Sequence, residues 1–210
     1  MYNINEVILD EPLIIYTILL TVSYLLGAIN SSILLSRLKN LPDPREYGSK
    51  NPGATNILRS GEKLLAAQTL FIDILKGLIP TLFARFLGFD DLLILIVGCM
   101  SILGHVFPIY FRFAGGKGVA TSFGVILGFD ILLSIICLIT WLSIAFLFRY
   151  SALSAIVTFV FLPLYIWLSY GSSYITIVTV LITCIVLWRH KENIHNLINQ
   201  KEIKIGERES

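Results

Sequence analysis

The sequence predicts an all-α polytopic membrane protein with about seven transmembrane helices, some of them short or broken. Hydrophobic residues make up 56% of the chain and charged residues only 14%, and the mean hydropathy is +0.80. The apolar residues also fall in long runs, whereas about a quarter of an ordinary soluble domain is charged. We therefore interpret residues 1–210 as a single integral membrane domain.

Seven apolar segments carry the predicted helices, since about 20 apolar residues are needed to span a bilayer. They cover 13–35, 64–87, 92–111, 119–129, 131–148, 152–168 and 174–188. The fourth has only 11 residues, and a helix rises about 1.5 Å per residue, so it is too short to cross a bilayer as a straight helix. It is either a half-helix or part of a bent unit with its neighbour, and "LGFD" at 127–130 marks the break. A five-span count, with 119–129 and one other segment lying flat, stays open.

Basic residues at alternate ends of these segments predict the orientation, because cytoplasmic loops of membrane proteins are enriched in Lys and Arg. They cluster in 36–63, 112–118 and 189–210, whereas 88–91 holds two acids and 170–173 holds no charge. These three clusters are therefore predicted to be cytoplasmic segments, with the N-terminus outside and the C-terminus in the cytoplasm. The polar tail after Trp188 predicts a cytoplasmic helix that continues the last span.

Several classes of function are disfavoured by the composition. The net charge of +2 is too small to indicate nucleic-acid binding. The first residues, "MYNINEVILDEP", lack the basic region of a signal peptide. Cys99, Cys137 and Cys184 lie in apolar runs without metal-ligand spacing, so we interpret them as inert apolar residues. No metal and no cofactor is predicted.

A polar stretch, "YGSKNPGATN" at 47–56, separates the first two apolar segments. Its two glycines permit a positive φ and its proline fixes one bend. One interpretation is a connecting turn with a helix N-cap at Thr55 or Asn56. The other is an anion-binding loop, because the stretch is longer than a connection requires. In that case the neutral donors and the surrounding positive charges are Ser49, Asn51, Thr55, Asn56, Arg45, Lys50 and Arg59.

A second polar stretch, "GGKG" at 115–118, leads directly into the predicted helix at 119. Glycine-rich backbone at a helix N-terminus can direct N–H groups toward an anion, and Lys117 adds a full charge. Thr121 and Ser122 add hydroxyl groups in the first turn. The spacing differs from that of a Walker A loop. The alternative is a flexible loop with one snorkelling lysine.

Charged and polar residues within or beside the spans are further candidates. Asp73 and Lys76 are three residues apart on one helix face, which is typical either of a structural ion pair or of a lysine directed into a polar pocket. His105, near the middle of the third segment, either forms a hydrogen bond between helices or binds the substrate. His190 and Asn193 share a helix face at the predicted water interface, so His190 is the preferred catalytic candidate.

The motifs "GSKNPGATN", "GGKGVATSFG" and "RHKENI" together resemble the bacterial acyl-phosphate:glycerol-3-phosphate acyltransferase family. The resemblance covers nearly the whole chain, with "DILKG" and "GHVFPIYFRF" in the family's order. It implies transfer of an acyl group from acyl phosphate to the 1-hydroxyl of glycerol 3-phosphate, giving lysophosphatidic acid and phosphate. It also implies a multi-pass protein of the bacterial inner membrane, with its active site facing the cytoplasm. Two positions depart from the family pattern: Ala28, where Ser is usual, and Asn196, where Arg is common.

The motifs and the resemblance together define the predicted site of a membrane-embedded catalytic domain, which we expect to act as a monomer. The predicted catalytic residues are His190, Asn193 and Lys117. The predicted substrate- and phosphate-binding residues are Ser31, Arg45, Ser49, Asn51, Gly53, Thr55, Asn56, Arg59, Lys76, His105, Gly115, Gly116, Gly118 and Thr121.

Two questions stay open at the level of the sequence. The general base is either His190 or an oxygen of the substrate's own phosphate. The chain lacks both a G-x-S-x-G elbow and an H-x-x-x-x-D motif, so direct transfer between two bound anions is expected.

The alternative function is a membrane transporter of an organic phosphate, since short, glycine-broken helices with intramembrane charge also mark transporters. A non-catalytic scaffold is a weaker alternative because it would not need glycine-rich anion loops.

Overall fold

The structure, a computed structural model, describes residues 11–207. The predictions that concern 1–10, and the basic residue Arg208, lie outside the described residues. Ten α-helices and one short 3-10 helix, Ile109–Phe111, make up the secondary structure within 11–207, and this range contains no β-strand. The helices are α1 (Glu11–Ala28), α2 (Ser31–Leu38), α3 (Ala54–Arg59), α4 (Lys63–Phe86), α5 (Asp91–Val106), α6 (Val119–Phe129), α7 (Ile131–Phe148), α8 (Ser151–Tyr170), α9 (Ser173–Arg189) and α10 (Lys191–Ile198).

The all-helical prediction is confirmed, and four helical stretches are individually long and apolar enough to cross a membrane. These stretches are Lys63–Phe86, Asp91–Phe111, Ile131–Phe148 and Ser151–Tyr170. The count rises to six when two bent helix pairs are each taken as one span. The helix α6 has the predicted bounds and is a shorter apolar helix. The count of seven spans stays a prediction.

Two expectations about continuous helices were wrong. The first apolar segment is broken, since α1 and α2 meet at an angle of 47°. The side chain of Asn30 stabilises this break: its Oδ1 accepts hydrogen bonds from the backbone N–H of Ile33 at 3.2 Å and from the Ser32 hydroxyl at 2.9 Å. The tail does not continue the last span either, because α10 turns by 60° from α9.

The predicted break at "LGFD" is confirmed, and Asp130 is its physical cause. Its Oδ1 accepts a hydrogen bond from the backbone N–H of Leu133 at 2.9 Å, which caps the N-terminus of α7. The hydroxyl of Tyr170 donates to the other carboxylate oxygen at 2.7 Å. One side chain therefore ends α6, begins α7 and ties both to the end of α8.

Close packing of α4 against α6 positions the glycine-rich turn. A Cβ on Gly77 would overlap the carbonyl oxygen of Thr121, and one on Gly124 would overlap the carbonyl oxygen of Ile74. The two helix backbones therefore touch directly, as small residues allow in membrane helix packing. This contact holds α6, and thereby the GGKG turn before it, against α4.

Candidate active site

Three segments that are far apart in sequence surround one cavity of about 540 Å³. They are the loop before α3, the GGKG turn, and the end of α9 with α10 and the tail. The cavity is strongly basic, which makes it suited to an anion: six basic side chains and two acidic ones line it. The basic side chains are Lys50, Arg59, Lys117, Arg189, Lys191 and Lys201, and the acidic ones are Glu192 and Glu202.

Five of the predicted site residues lie together on the wall of this cavity. They are Ser49, Asn51, Arg59, Lys117 and Asn193. Asn196, which departs from the family pattern, also lines the cavity. The remaining predicted residues are not among those that line the cavity.

Asn56 holds the loop of 44–53 in shape. Its side chain is 1% exposed, and its Oδ1 accepts a hydrogen bond from the backbone N–H of Ser49 at 3.0 Å. Its Nδ2 donates to the carbonyl oxygens of Pro44 at 2.8 Å and Tyr47 at 3.2 Å. Both ends of the amide are occupied within the protein, so Asn56 shapes the loop that presents Ser49 instead of facing the cavity itself.

The other loop residues also differ from their predicted roles. Gly53 is the N-cap of α3, so the expected cap at Thr55 or Asn56 was wrong. Thr55 is exposed, and its hydroxyl lies 3.4 Å from that of Ser151. The guanidinium of Arg45 makes two hydrogen bonds to the carboxylate of Asp43, at 3.0 and 2.7 Å. This contact lowers the pKa of the Asp43 carboxyl. It also pairs the positive charge of Arg45, which was expected to attract the substrate, with a carboxylate of the same loop.

The GGKG turn is held mainly through its carbonyl groups and by packing. Arg189 donates from Nη2 to the carbonyl oxygen of Gly115 at 2.6 Å and from Nε to that of Gly116 at 3.0 Å. The N–H of Gly116 donates to the carbonyl oxygen of His105 at 3.1 Å, and a Cβ at Gly116 would overlap the imidazole ring of His105. Gly118 has φ of +84°, which a residue with a side chain adopts only at a cost. These glycines are therefore explained by backbone conformation and packing against α5.

A buried charge cluster lies at membrane depth and contains three more of the predicted residues. Lys76 Nζ lies 2.9 Å from Asp73 Oδ1 and donates to the carbonyl oxygen of Ile29 at 3.0 Å. The Ser31 hydroxyl donates to the same Asp73 oxygen at 2.7 Å, and His105 Nδ1 lies 3.6 Å from it. Ser31, Lys76 and His105 are all buried within this cluster, so their geometry favours the structural ion pair over phosphate contact.

A four-residue network connects the three walls of the cavity. The ammonium group of Lys117 donates to Oδ1 of Asn193, and Asn193 Nδ2 donates to the Glu202 carboxylate at 2.9 and 3.0 Å. Arg59 Nη2 lies 3.4 Å from the same carboxylate and donates to the carbonyl oxygen of Ile203 at 2.9 Å. Glu202 was missed at the level of sequence. Its one signal is that it is the acid within the otherwise basic "QKEIK" of the tail.

Burial changes the protonation of the two main catalytic candidates. The pKa of Lys117 is lowered to about 8, mainly by desolvation; the charge of Glu202 opposes this shift, and the charges of Arg59 and Arg189 add to it. Burial and the charge of Lys117 lower the pKa of His190 to about 4. His190 is only 3% exposed and lies between the end of α9 and the start of α10. Its Nδ1 donates to the carbonyl oxygen of Val186 at 2.8 Å, since that oxygen can only accept, which leaves Nε2 unprotonated in the neutral ring.

Thr121 and Ser122 lie in the first turn of α6 and are buried. Their hydroxyl groups have no hydrogen-bond partner among residues 11–207. Within the same range, no group of three or more His, Cys, Asp or Glu residues is arranged to hold a metal ion.

The contrast between Asn56 and Thr55 gives a test of the loop geometry. We expect Asn56→Ala to lower the free energy of unfolding by about 1–3 kcal/mol, because it leaves buried backbone groups unpaired. It should also speed tryptic cleavage after Lys50, which is exposed in the same loop. Thr55→Ala is the matched control and should leave both the melting temperature and the cleavage rate near those of the unchanged protein. Equal behaviour of the two variants would contradict the assignment of Asn56 as the residue that holds the loop.

Comparisons with known proteins agree with this geometry. Residues 17–200 match the model of the family described as Glycerol-3-phosphate acyltransferase. The glycerol-3-phosphate acyltransferase of Methylococcus capsulatus is 44% identical over 189 residues, which cover 90% of this chain and 96% of that protein. That of Vibrio campbellii is 45% identical over 186 residues, which cover 89% and 91%.

Two solved structures share the fold. Both are crystal structures of PlsY (YgiH), described as an integral membrane glycerol 3-phosphate acyltransferase. The glycerol 3-phosphate form superposes with a TM-score of 0.86 at 33% identity, covering 91% of this chain and 96% of that one. The lysophosphatidic acid form gives a TM-score of 0.84 at 32% identity, covering 91% and 95%. This chain is therefore an integral membrane protein, and it belongs to the glycerol-3-phosphate acyltransferase family.

Proposed function

We propose that this protein transfers a fatty acyl group from an acyl phosphate to the 1-hydroxyl of glycerol 3-phosphate, giving lysophosphatidic acid and inorganic phosphate. The observation that carries the proposal is that the loop before α3, the GGKG turn and α10 meet at one basic cavity. The forms of the related PlsY structures, with glycerol 3-phosphate and with lysophosphatidic acid, support the acceptor and the product.

The cavity is suited to holding a phosphate group. Arg59 and Lys117 supply positive charge to its wall, and Ser49 and Asn51 supply neutral donors. A phosphate with roughly −1.5 to −2 charges is matched by such charge-assisted hydrogen bonds. The neutral donors matter because the enzyme also has to release inorganic phosphate after each turnover.

The proposed reaction needs positioning more than covalent catalysis. The acceptor hydroxyl attacks the acyl carbonyl, the bond from that carbonyl to the phosphate oxygen breaks, and the phosphate leaves with its electron pair. Holding both partners in place supplies about 7–11 kcal/mol of the barrier reduction in well-oriented reactions. We assign this positioning to the cavity wall, with Lys117 and Arg59 neutralising phosphate charge.

The structure favours the substrate's own phosphate as the general base. A phosphate oxygen has a second pKa of about 6, whereas the pKa of His190 is lowered to about 4, which makes it a weaker base at neutral pH. His190 is also buried and hydrogen-bonded to Val186. We therefore assign His190 a positioning role at the junction of α9 and α10, one residue from Arg189 and three from Asn193.

The proposed enzyme lies in the bacterial cytoplasmic membrane with its active site facing the cytoplasm. All three walls of the cavity come from the segments that the positive-inside pattern assigns to the cytoplasm. With α6 as a seventh, short span, the chain would begin outside and end inside.

The first test is an activity assay on the purified protein in detergent or lipid. We expect inorganic phosphate to be released only when acyl phosphate and glycerol 3-phosphate are both present, with lysophosphatidic acid formed in equal amount. Acyl-CoA in place of acyl phosphate should give no product. Acyl transfer from acyl-CoA would overturn the proposed donor, and transport of glycerol 3-phosphate without acylation would overturn the proposed reaction.

The pKa of Lys117 gives a second test. Above a pH of about 8 the lysine loses its proton, so kcat/KM for glycerol 3-phosphate should fall about tenfold per pH unit on the alkaline side. Lys117→Arg should remove this alkaline limb, because a guanidinium stays charged above pH 12. An unchanged limb in Lys117→Arg would show that a different group titrates.

Orientation is tested by labelling cysteines in a background where Cys99, Cys137 and Cys184 are replaced. We expect Glu46→Cys, in the loop before α3, to react with an impermeant maleimide only from the cytoplasmic side. Asp91→Cys, at the start of α5, should react only from the outside, since both side chains are exposed in the structure. The reverse pattern would contradict the proposed topology.

A further inference from the structure

The end of the chain forms a defined segment over the cavity, which we call the C-terminal strap, residues 201–207. It begins where the backbone N–H of Lys201 donates to the carbonyl oxygen of Asn196 at 2.7 Å. Its first three residues, Lys201, Glu202 and Ile203, line the cavity. The strap therefore supplies part of the wall of the proposed active site, although it lies beyond the last helix.

The far end of the strap is fixed to the turn between α7 and α8. The backbone N–H of Ile205 donates to the carbonyl oxygen of Arg149 at 2.6 Å, and the Arg149 guanidinium donates to the carbonyl oxygen of Ile205 at 3.1 Å. The ammonium group of Lys204 lies 5.9 Å from the centre of the Tyr150 ring, within the range of a cation–π contact. Arg149 is exposed and is not among the residues that line the cavity.

These contacts connect Arg149 to the proposed phosphate site through the strap. From Ile205 the strap reaches Glu202, whose carboxylate accepts hydrogen bonds from Asn193 at 2.9 and 3.0 Å and lies 3.4 Å from Arg59. Asn193 in turn accepts a hydrogen bond from Lys117. Two of the six basic side chains that line the cavity are thus connected to a carboxylate on the strap, Arg59 directly and Lys117 through Asn193.

We propose that Arg149 is a positioning residue for acyl transfer, which acts by anchoring the C-terminal strap so that Glu202 holds Asn193, Lys117 and Arg59 in register. The proposal rests on the proposed function, since the groups held in register are those proposed above to bind phosphate, which is taken here to be the phosphate of glycerol 3-phosphate. The anchor lies on the α7–α8 turn, so an element with no direct part in the cavity contributes to its order.

The first variant is a chain that ends at Ile203. It keeps Glu202, and the Ile203 carbonyl that accepts from Arg59 becomes a terminal carboxylate that can still accept this hydrogen bond, but the chain loses the anchor at Ile205. We expect KM for glycerol 3-phosphate to rise about three- to tenfold, the scale of losing one or two net hydrogen bonds, with kcat much less affected. A chain that ends at Glu207 retains every strap contact named above and is the matched control.

The second variant, Arg149→Ala, keeps the full chain and removes the guanidinium. It should raise the same KM by a smaller factor and speed tryptic cleavage after Lys201. Arg112→Ala is its control, because Arg112 is an exposed arginine at a helix end with φ of +54°, close to the +63° of Arg149. That variant should change neither KM nor the cleavage rate.

The two changes combined decide whether Arg149 acts through the strap. In the chain that ends at Ile203, Arg149→Ala should have no further effect on KM, since residues that act through one contact are non-additive. Additive effects, or a KM in both variants equal to that of the unchanged chain, would overturn the proposal.

If the unchanged chain transfers no acyl group, the proposed function fails instead. Equal rates of tryptic cleavage for Arg149→Ala and the unchanged chain would then reject the anchor as well.

Discussion

The buried ion pair between Asp73 and Lys76 is the interaction on which the rest of the site depends. A helix break inside a membrane leaves backbone carbonyls without partners, which is costly in hydrocarbon. Lys76 donates to one of these, at Ile29, and Asp73 compensates its charge. Removing one member of such a pair is far more costly than replacing both, because an uncompensated charge remains. The bend between α1 and α2 is therefore tied to a single ion pair on α4.

The same cluster is connected to the GGKG turn through His105. The imidazole lies beside Asp73 on one side and fills the space next to Gly116 on the other. The carbonyl oxygen of His105 also accepts the N–H of Gly116. The glycine-rich turn thus packs against the end of α5, and Arg189 of α9 donates hydrogen bonds to two of its carbonyl oxygens. Lys117 projects from a turn whose position is set from both sides.

The charges that line the cavity favour the binding of phosphate but also allow its release. Basic side chains dominate its wall, but the Glu202 carboxylate lies among them and contacts Arg59 and Asn193. A site made only of Lys and Arg would retain phosphate, whereas an internal carboxylate lowers the net charge and fixes the direction of the basic groups. Burial also lowers the pKa of Lys117 to about 8.

Much of this architecture was predictable from local patterns. The apolar runs predicted the bounds of α4 to α9 to within a few residues, and "LGFD" predicted the break before α7. The three polar motifs identified the segments that meet at the cavity. Such features depend on neighbouring residues in the chain, and periodicity and turn chemistry describe those well. The motif residues Ser49, Asn51, Arg59, Lys117 and Asn193 accordingly lie where the sequence indicated.

The individual roles were decided only by the tertiary structure. Asn56 holds a loop, His190 is buried, and Glu202 joins α3 to α10 across a separation of 143 residues from Arg59. Whether a polar side chain faces a cavity or a backbone carbonyl depends on which distant segment packs beside it. A motif records which residue types are required, but the partner of each donor is set by the packing of helices that the linear pattern does not specify.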